Sequence, residues 1–391
     1  MSEPVRILHV LGKLNMGGAE SRIMDLYRNI DRDKVQFDFV VHTTEHCYFD
    51  DEVAELGGRI FSVPRFKIYN LLEYKKAWAE LLEAHTSSDG NSEFKMIQGH
   101  MTSTAAIYLP IAKECGIKKT IAHARSAGVD AGLKGKMTRI LRRNLSKKAD
   151  ELFTCSKIAG ISVFGNEAVE AGKVRFIPNA IDVKRFAYNE DTALSLRKEL
   201  GIDDKLVIGH VGRFHYAKNH EYLLRIFRDL CEDISILEGE MADIEPVLLL
   251  IGEGPRLREM KALAIELNIA DKVMFLGNKS NIYDYYQAFD YFLYPSRYEG
   301  LPGTVVEAQA AGLPILMSDE ICDEVMVTDL VEAMSIKLPT SDWAEAIMKD
   351  INDGRVLLAD RNGYDIKMAE AGFDIKEQAH IIEEFYLNDN Y

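Results

Sequence analysis

The chain has 391 residues and a net charge of -15 at pH 7, and 47% of its residues are hydrophobic. This length predicts two domains with buried cores, and the acidic balance argues against a protein that binds nucleic acid. The five cysteines are scattered and show no C-x-x-C spacing. That pattern argues against a disulfide framework or a zinc site and favours a reducing compartment.

The first residues resemble a strand rather than a secretion signal, and no run reaches the roughly 18 apolar residues that a membrane span needs. We therefore expect a cytoplasmic protein that does not span the membrane. Peripheral contact with the inner face of the membrane stays open.

Short β-branched or apolar runs alternate with longer helical patterns, which predicts βαβ units and parallel sheets. The strand runs of the first half are Val5–Leu11, Val35–Val41, Arg59–Val63, Phe94–Gln98, Thr120–His123 and Glu151–Cys155. Those of the second half are Leu206–Val211, Pro246–Ile251, Lys272–Leu276, Tyr291–Tyr294 and Pro314–Met317. A turn-rich segment near Ile177–Ala187 separates the halves. The predicted domains are 1–183 and 184–373, with a final helix at 374–391 packing back on the first.

Two cations follow the first strand of the second half. Arg213 and Lys218 flank the loop before the helix His220–Leu230, for which Asn219 is the predicted N-cap. Ligands of open parallel sheets bind beyond the carboxyl ends of the strands, and two cations there suit a diphosphate. The alternative is a pair of solvated surface charges.

Two glutamates follow the strand Tyr291–Tyr294. Glu299 lies in a loop, where the sugar of a nucleotide sugar would sit, and Glu307 lies in the first turn of the next helix, where it can accept both hydroxyls of a ribose. The start of that helix can hold a phosphate or sugar hydroxyls through free backbone N–H groups. The predicted donors are Gly303, Thr304 and Val305. The alternative for Glu307 is simple stabilisation of the helix dipole.

The spacing of Glu299 and Glu307, together with Arg213 and Lys218, resembles that of glycosyltransferase family 4. The resemblance covers nearly the whole chain and includes a glycine-rich loop after the first strand and a linker at 177–182. It implies the GT-B fold, in which two Rossmann-like domains of α/β architecture have parallel sheets facing a central cleft. It also implies catalysis with retention of the anomeric configuration.

The resemblance implies a role for each matching residue. Arg213 and Lys218 would grip the donor diphosphate, and Glu299 would contact the transferred sugar near its anomeric centre. His123 matches the histidine of the first domain that faces the donor sugar. Arg125 stands where some relatives carry a second histidine and is a candidate acceptor contact. The remaining donor-binding residues implied are Gly17, Gly18, Gly252, Asn278, Lys279 and Glu307.

The implied activity is transfer of a hexose or N-acetylhexosamine from a nucleotide-diphosphate sugar to a glycan or lipid-linked acceptor in surface polysaccharide biosynthesis. UDP is the preferred nucleotide from its frequency in the family. The nucleotide sugar is a co-substrate, and we expect no cofactor and no metal, since the Asp-x-Asp at 31–33 lies at the wrong end of the sheet. The alternatives are a nucleotide-sugar epimerase of the same fold and an inactive binding module.

A basic amphipathic pattern spans Gly132–Asp150. Such a helix can lie on an anionic lipid surface, and the alternative is an ordinary domain helix with its cations in water. The cations proposed to face the membrane or the acceptor are Lys136, Arg139, Arg142 and Arg143.

Overall fold

Two parallel β-sheets, one of seven strands and one of six, organise the chain. The computed structural model describes residues 3–125, 132–235, 244–356 and 360–388. The first unit comprises Met1–Ala180 and Ile375–Tyr391, and the second comprises Ile181–Asp374. The last helix of the chain therefore belongs to the first unit.

The first sheet is built from the first half of the chain. Its strands are β1 (Val5–Val10), β2 (Val35–Val41), β3 (Ile60–Ser62), β4 (Phe94–Gly99), β5 (Lys119–Ala124), β6 (Glu151–Thr154) and β7 (Val174–Phe176). They lie in the order β3-β2-β1-β4-β5-β6-β7, all parallel.

The second sheet repeats this plan. Its strands are β8 (Lys205–Val211), β9 (Glu245–Ile251), β10 (Val273–Gly277), β11 (Tyr291–Tyr294), β12 (Ile315–Ser318) and β13 (Val331–Met334). They lie in the order β10-β9-β8-β11-β12-β13, again all parallel. The strand order reverses between β1 and β4 in the first sheet and between β8 and β11 in the second. These two switch points are where open sheets of this kind bind ligands.

The helices connect the strands and flank the sheets. In the first unit they are α1 (Gly18–Asn29), α2 (Asp50–Glu55), α3 (Leu71–Glu83), α4 (Thr102–Glu114), α5 (Gly132–Arg142), α6 (Lys157–Phe164) and α7 (Asn166–Glu170). Those of the second unit are α8 (Val183–Phe186), α9 (Glu190–Leu200), α10 (His220–Ser235), α11 (Leu257–Glu266), α12 (Ile282–Ala288), α13 (Gly303–Ala310), α14 (Thr340–Asn352) and α15 (Tyr364–Met368), and α16 (Ile375–Leu387) returns to the first.

Each unit has its own hydrophobic core. In the first unit, α1 turns Ile23 and Tyr27 inward, and α16 adds Ile382 and Phe385 to the same core. This burial explains why the apolar spacing in both helices is that of one helical face. In the second unit, Leu224 and Phe227 of α10 are fully buried against the sheet.

The predicted α/β class with two parallel sheets is confirmed. The sequence prediction lacked the edge strands β7 and β13, because neither is a continuous apolar run: β13 reads Val-Glu-Ala-Met and exposes its two central residues. Within the described ranges, no helix is both long and apolar enough to cross a membrane.

Candidate functional site

The switch point of the second sheet brings two loops together. β8 and β11 are paired, with Ile208 opposite Tyr291, so the loops that follow them leave the same sheet edge. The side-chain amide of Asn219 donates to the Pro295 carbonyl at 3.0 Å. A backbone hydrogen bond of 2.7 Å joins Arg297 to Ala217. These bonds fasten the loop that carries Lys218 to the loop that carries Glu299.

Lys218 lies between an anion and a phenol. Its ammonium is 2.8 Å from the Glu299 carboxylate and also donates to the Tyr294 hydroxyl. Burial alone would lower the pKa of Lys218, but the charge of Glu299 outweighs it, so the pKa is raised and the side chain is cationic. The structure therefore brings together two of the residues predicted for the site and adds Tyr294, which sequence reasoning missed.

Arg213 is in the same loop, but its side chain is exposed. Among the residues that the structure describes, its guanidinium has no hydrogen bond or ion pair, in contrast to Lys218. Asn219 also differs from the prediction. Its backbone is left-handed, with φ 55°, and its Oδ1 has no partner in the described parts of the chain, so the predicted N-cap is wrong. The side chain joins the two loops instead.

Glycines let the loop after β9 approach the loop after β8. Gly252 has φ 141°, and a Cβ on it would overlap the Gly212 carbonyl. A Cβ on Gly254 would likewise overlap the backbone of Phe214, which receives and donates backbone hydrogen bonds here. Gly252 thus supports the site through backbone contact, which only glycine permits.

The start of α13 offers fewer free amides than predicted. The N–H of Val305 already donates to the Pro302 carbonyl at 3.1 Å. The N–H groups of Gly303 and Thr304 have no acceptor among the described residues. Two of the three predicted donors are therefore available, at the positive end of the helix.

Glu307 is buried, with 5% of its surface exposed. It accepts a hydrogen bond of 2.8 Å from the Tyr286 hydroxyl. Tyr286, in α12, also reaches the carbonyl of Thr304 at 3.2 Å. A buried carboxylate held in this way has a fixed orientation, which favours a binding role over the solvated dipole contact considered for Glu307.

The residues predicted to hold the base follow β10. Asn278 is exposed and Lys279 is half-buried, with its ammonium 5.4 Å from the centre of the Tyr285 ring. Gly277 before them has φ 68°, which turns the chain away from the strand.

Two buried histidines lie behind the Lys218 loop. His210 donates from Nδ1 to the Leu293 carbonyl at 2.8 Å, and His220 stacks on Phe214 with ring centres 4.1 Å apart. Burial lowers the pKa of His210 to about 3 and that of His220 to about 2. Both rings are therefore neutral at pH 7 and add no charge to the site.

In the first unit, the predicted glycine-rich loop precedes α1. Gly17 precedes its first residue, and a Cβ on Gly17 would overlap the Glu20 carboxylate. Gly18 has open space around its Cα. Packing within the chain therefore does not require glycine at the second position.

His123 lies near the carboxyl end of β5 and is 1% exposed. Its Nδ1 is 2.9 Å from the side-chain nitrogen of Gln98, and the Oε1 of Gln98 accepts from the Tyr386 hydroxyl. The Nε2 of His123 has no partner among the described residues. Burial, with a smaller effect of the Arg125 charge, holds its pKa well below the usual value. The imidazole is therefore neutral.

Arg125 is half-buried and contacts two neutral side chains. Its Nε is 3.4 Å from Nδ1 of His100 and its Nη1 is 3.0 Å from Oδ1 of Asn179. His100 in turn contacts Nδ1 of His9 at 3.1 Å. Burial lowers the pKa of Arg125 to about 10, which still leaves it charged.

The basic helix α5 has one cationic face in solvent. Lys136, Arg139 and Arg143 are exposed, and Ile140 between them is 64% exposed. Arg142 differs, because it is half-buried and donates to Thr102 at 3.1 Å. The side chains of residues 132–134 lie outside the described set.

Across the described ranges, no group of three or more His, Cys, Asp or Glu side chains is arranged to hold a metal ion.

Two family models together match most of the chain. The model described as Glycosyltransferase Family 4 matches residues 16–185. The model described as Glycosyl transferases group 1 matches residues 194–364.

Two relatives match over nearly their whole length. EpsF of Bacillus subtilis, named as a glycosyltransferase, is 34% identical over 98% of this chain and 97% of its own length. CapH of Staphylococcus aureus, a capsular polysaccharide biosynthesis glycosyltransferase, is 25% identical over 93% of this chain and 96% of its own.

A solved structure shares the fold. HepE of Anabaena, crystallised with UDP and glucose, aligns with a TM-score of 0.74 and 17% identity, covering 97% of this chain and 99% of that one. The GT-B fold expected from the sequence is therefore confirmed.

Proposed function

The chain belongs to glycosyltransferase family 4, and on that premise we propose that it transfers a sugar from a nucleotide-diphosphate donor that binds at the switch point of the second sheet. The observation that carries the proposal is the Lys218 ammonium, fastened between Glu299 and Tyr294 where β8 ends. A cation fixed before the substrate arrives stabilises the charge that grows on the diphosphate as the sugar leaves.

We assign the donor contacts accordingly. Lys218 and the amides of Gly303 and Thr304 take the diphosphate, and the exposed Arg213 adds a second cation when the ligand is present. Glu307 takes the ribose hydroxyls. Further donor contacts are proposed at Gly17, Gly18, Gly252, Asn278, Lys279 and Val305.

Glu299 and His123 are proposed to contact the transferred sugar. Glu299 would first have to give up its contact with Lys218, because a diphosphate competes for the same ammonium. Since these cations and amides can neutralise the leaving group, we propose a transfer that requires no divalent metal. Retention of the anomeric configuration is proposed from family membership.

UDP is the proposed nucleotide, supported by the UDP complex of HepE. The proposed reaction is hexosyl or N-acetylhexosaminyl transfer to a glycan or lipid-linked acceptor in polysaccharide biosynthesis, supported by the name of CapH. Arg125 is the proposed acceptor contact. The relatives are named as transferases, which favours transfer over epimerisation of the donor.

Contact with an anionic membrane is proposed for the exposed side chains of Lys136, Arg139 and Ile140 in α5 and of Arg143 directly after it. A second surface of the first unit supports it, because Tyr69 and Leu72 are 82% and 83% exposed. Large exposed apolar side chains beside cations suit a lipid surface. Such contact would make the protein peripheral to the inner face of the membrane.

A thermal-shift panel of nucleotide sugars tests the donor site. The true donor should raise the melting temperature of the wild type by mass action and should not do so for Lys218→Met. The matched control is Lys205→Met. Lys205 is paired with Glu245 at the amino ends of β8 and β9, whereas Lys218 follows the carboxyl end of β8. Equal rises in melting temperature in all three proteins would show that Lys218 does not bind the donor.

A further inference from the structure

The hydroxyl of Tyr386 and the amide of Gln98 form a chain that ends on His123. Tyr386 lies in α16, 288 residues from Gln98 in sequence, and its hydroxyl meets Oε1 of Gln98. The amide nitrogen of Gln98 meets Nδ1 of His123 at 2.9 Å. All three residues belong to the first unit, and none is more than 2% exposed.

The orientation of the Gln98 amide decides which nitrogen of His123 carries the proton. With Oε1 toward Tyr386, the phenol donates to the amide, the amide donates to Nδ1, and the proton of the neutral imidazole must sit on Nε2. With the amide reversed, Nδ1–H would donate to Oε1, and the buried phenol would accept from the amide. Its own proton would then have no acceptor among the residues that the structure describes. An unsatisfied buried donor is costly, so the first orientation is favoured.

We propose that Tyr386 and Gln98 are positioning residues that hold His123 as a neutral hydrogen-bond donor through Nε2–H. The tautomer of His123 does not depend on the proposed function, but the contact with the sugar described next rests on it. The unpartnered Nε2–H of His123 would donate to an oxygen of the donor sugar, such as a hydroxyl, and could not act as a proton acceptor. The C-terminal helix thereby sets the chemistry of a strand-end residue in the first sheet.

The tautomer can be read without any enzyme assay. Two-bond proton–nitrogen correlation spectra of protein labelled with nitrogen-15 histidine distinguish a protonated from a bare ring nitrogen. His123 is assigned by the signals that vanish in His123→Gln. We expect wild-type His123 at pH 8 to show a bare Nδ1 and a protonated Nε2. A protonated Nδ1 in the wild type would overturn the proposal.

Two nearly isosteric variants test the chain itself. Gln98→Glu replaces the donor by a carboxylate that only accepts, so Nδ1 should gain the proton and Nε2 should lose it. Tyr386→Phe removes the bias on the amide, so a mixture of both tautomers is expected. The control is Tyr108→Phe, because the buried Tyr108 hydroxyl has no partner in the described chain. Its spectrum should match the wild type. An unchanged His123 pattern in both Gln98→Glu and Tyr386→Phe would refute the chain.

Kinetics separate this inference from the proposed function. If His123 touches the sugar, Gln98→Glu should lower kcat roughly 10-fold, about the value of one hydrogen bond, with a smaller change in KM for the donor. An inverted tautomer with an unchanged kcat would support the chain of three residues and refute instead the contact between His123 and the sugar.

Discussion

Replacing Glu299 by Gln is expected to tighten the binding of UDP while it abolishes sugar transfer. The Glu299 carboxylate lies 2.8 Å from the Lys218 ammonium, so a diphosphate must compete with it for that cation. The amide has the same shape but no charge. It leaves Lys218 bonded to Tyr294 and open to the ligand.

The size of the effect follows from the geometry of the pair. Two unit charges 2.8 Å apart attract by roughly 6 kcal/mol at an effective dielectric constant of about 20, and by roughly 1.5 kcal/mol in water. The two side chains keep 17% and 21% of their exposure, so solvent screens the pair and a net value of about 1–2 kcal/mol applies. The dissociation constant of UDP should therefore fall about 5- to 30-fold.

Isothermal titration calorimetry with UDP measures this directly. Glu245→Gln is the matched control, because Glu245 forms a 2.9 Å pair with Lys205 at the amino ends of β8 and β9. It changes the net charge equally but should leave the affinity unaltered. If Glu299→Gln weakens UDP binding, or matches the control, the competition between carboxylate and diphosphate is refuted.

The remaining predictions concern stability and membrane contact. Gly252→Ala should lower the free energy of unfolding of the second unit by about 2–4 kcal/mol, since a Cβ there overlaps the backbone. The control Gly18→Ala should lower the free energy of unfolding by less than about 1 kcal/mol, because a Cβ there meets no other atom. Equal urea midpoints for the two variants would contradict this. Burial lowers the pKa of His220 to about 2, while the unfolded chain takes up a proton near pH 6.5, so stability is lost as the pH falls below about 6.5, by roughly 2 kcal/mol at pH 5. His220→Phe should therefore flatten the fall of the urea midpoint between pH 7 and 5, and an unchanged slope would show that His220 does not contribute. The double variant Arg139→Glu, Arg143→Glu should bind phosphatidylserine vesicles at least about tenfold more weakly in a flotation assay. Unchanged binding would show that α5 does not contact the membrane.

The parallel sheets could be predicted because buried strands of this class are continuous apolar runs, visible without any knowledge of their partners. The loop after β8 could be predicted as well, since the segment that carries Arg213 and Lys218 lies between a strand and a helix, and the carboxyl ends of parallel strands lie together. The edge strands β7 and β13 were missed because neither is a continuous apolar run, whereas the edge strands β3 and β10 were predicted.

Other residues depend on tertiary contacts that no local pattern encodes. Tyr386 meets Gln98 across 288 residues of sequence, and Tyr294 resembles any core aromatic until Lys218 is placed beside it. For Asn219, by contrast, a local pattern was present but predicted the wrong role. An asparagine before a helix predicts a cap, but its side chain is used to join two loops. Arg142 fits the amphipathic pattern of α5, yet contacts Thr102.

A crystal structure of the protein with UDP tests the central claim most directly. We predict that the diphosphate lies within hydrogen-bond distance of the Lys218 ammonium and of the amides of Gly303 and Thr304, with Glu299 displaced from Lys218. A diphosphate bound elsewhere, with the pair of Lys218 and Glu299 still intact, would contradict the account.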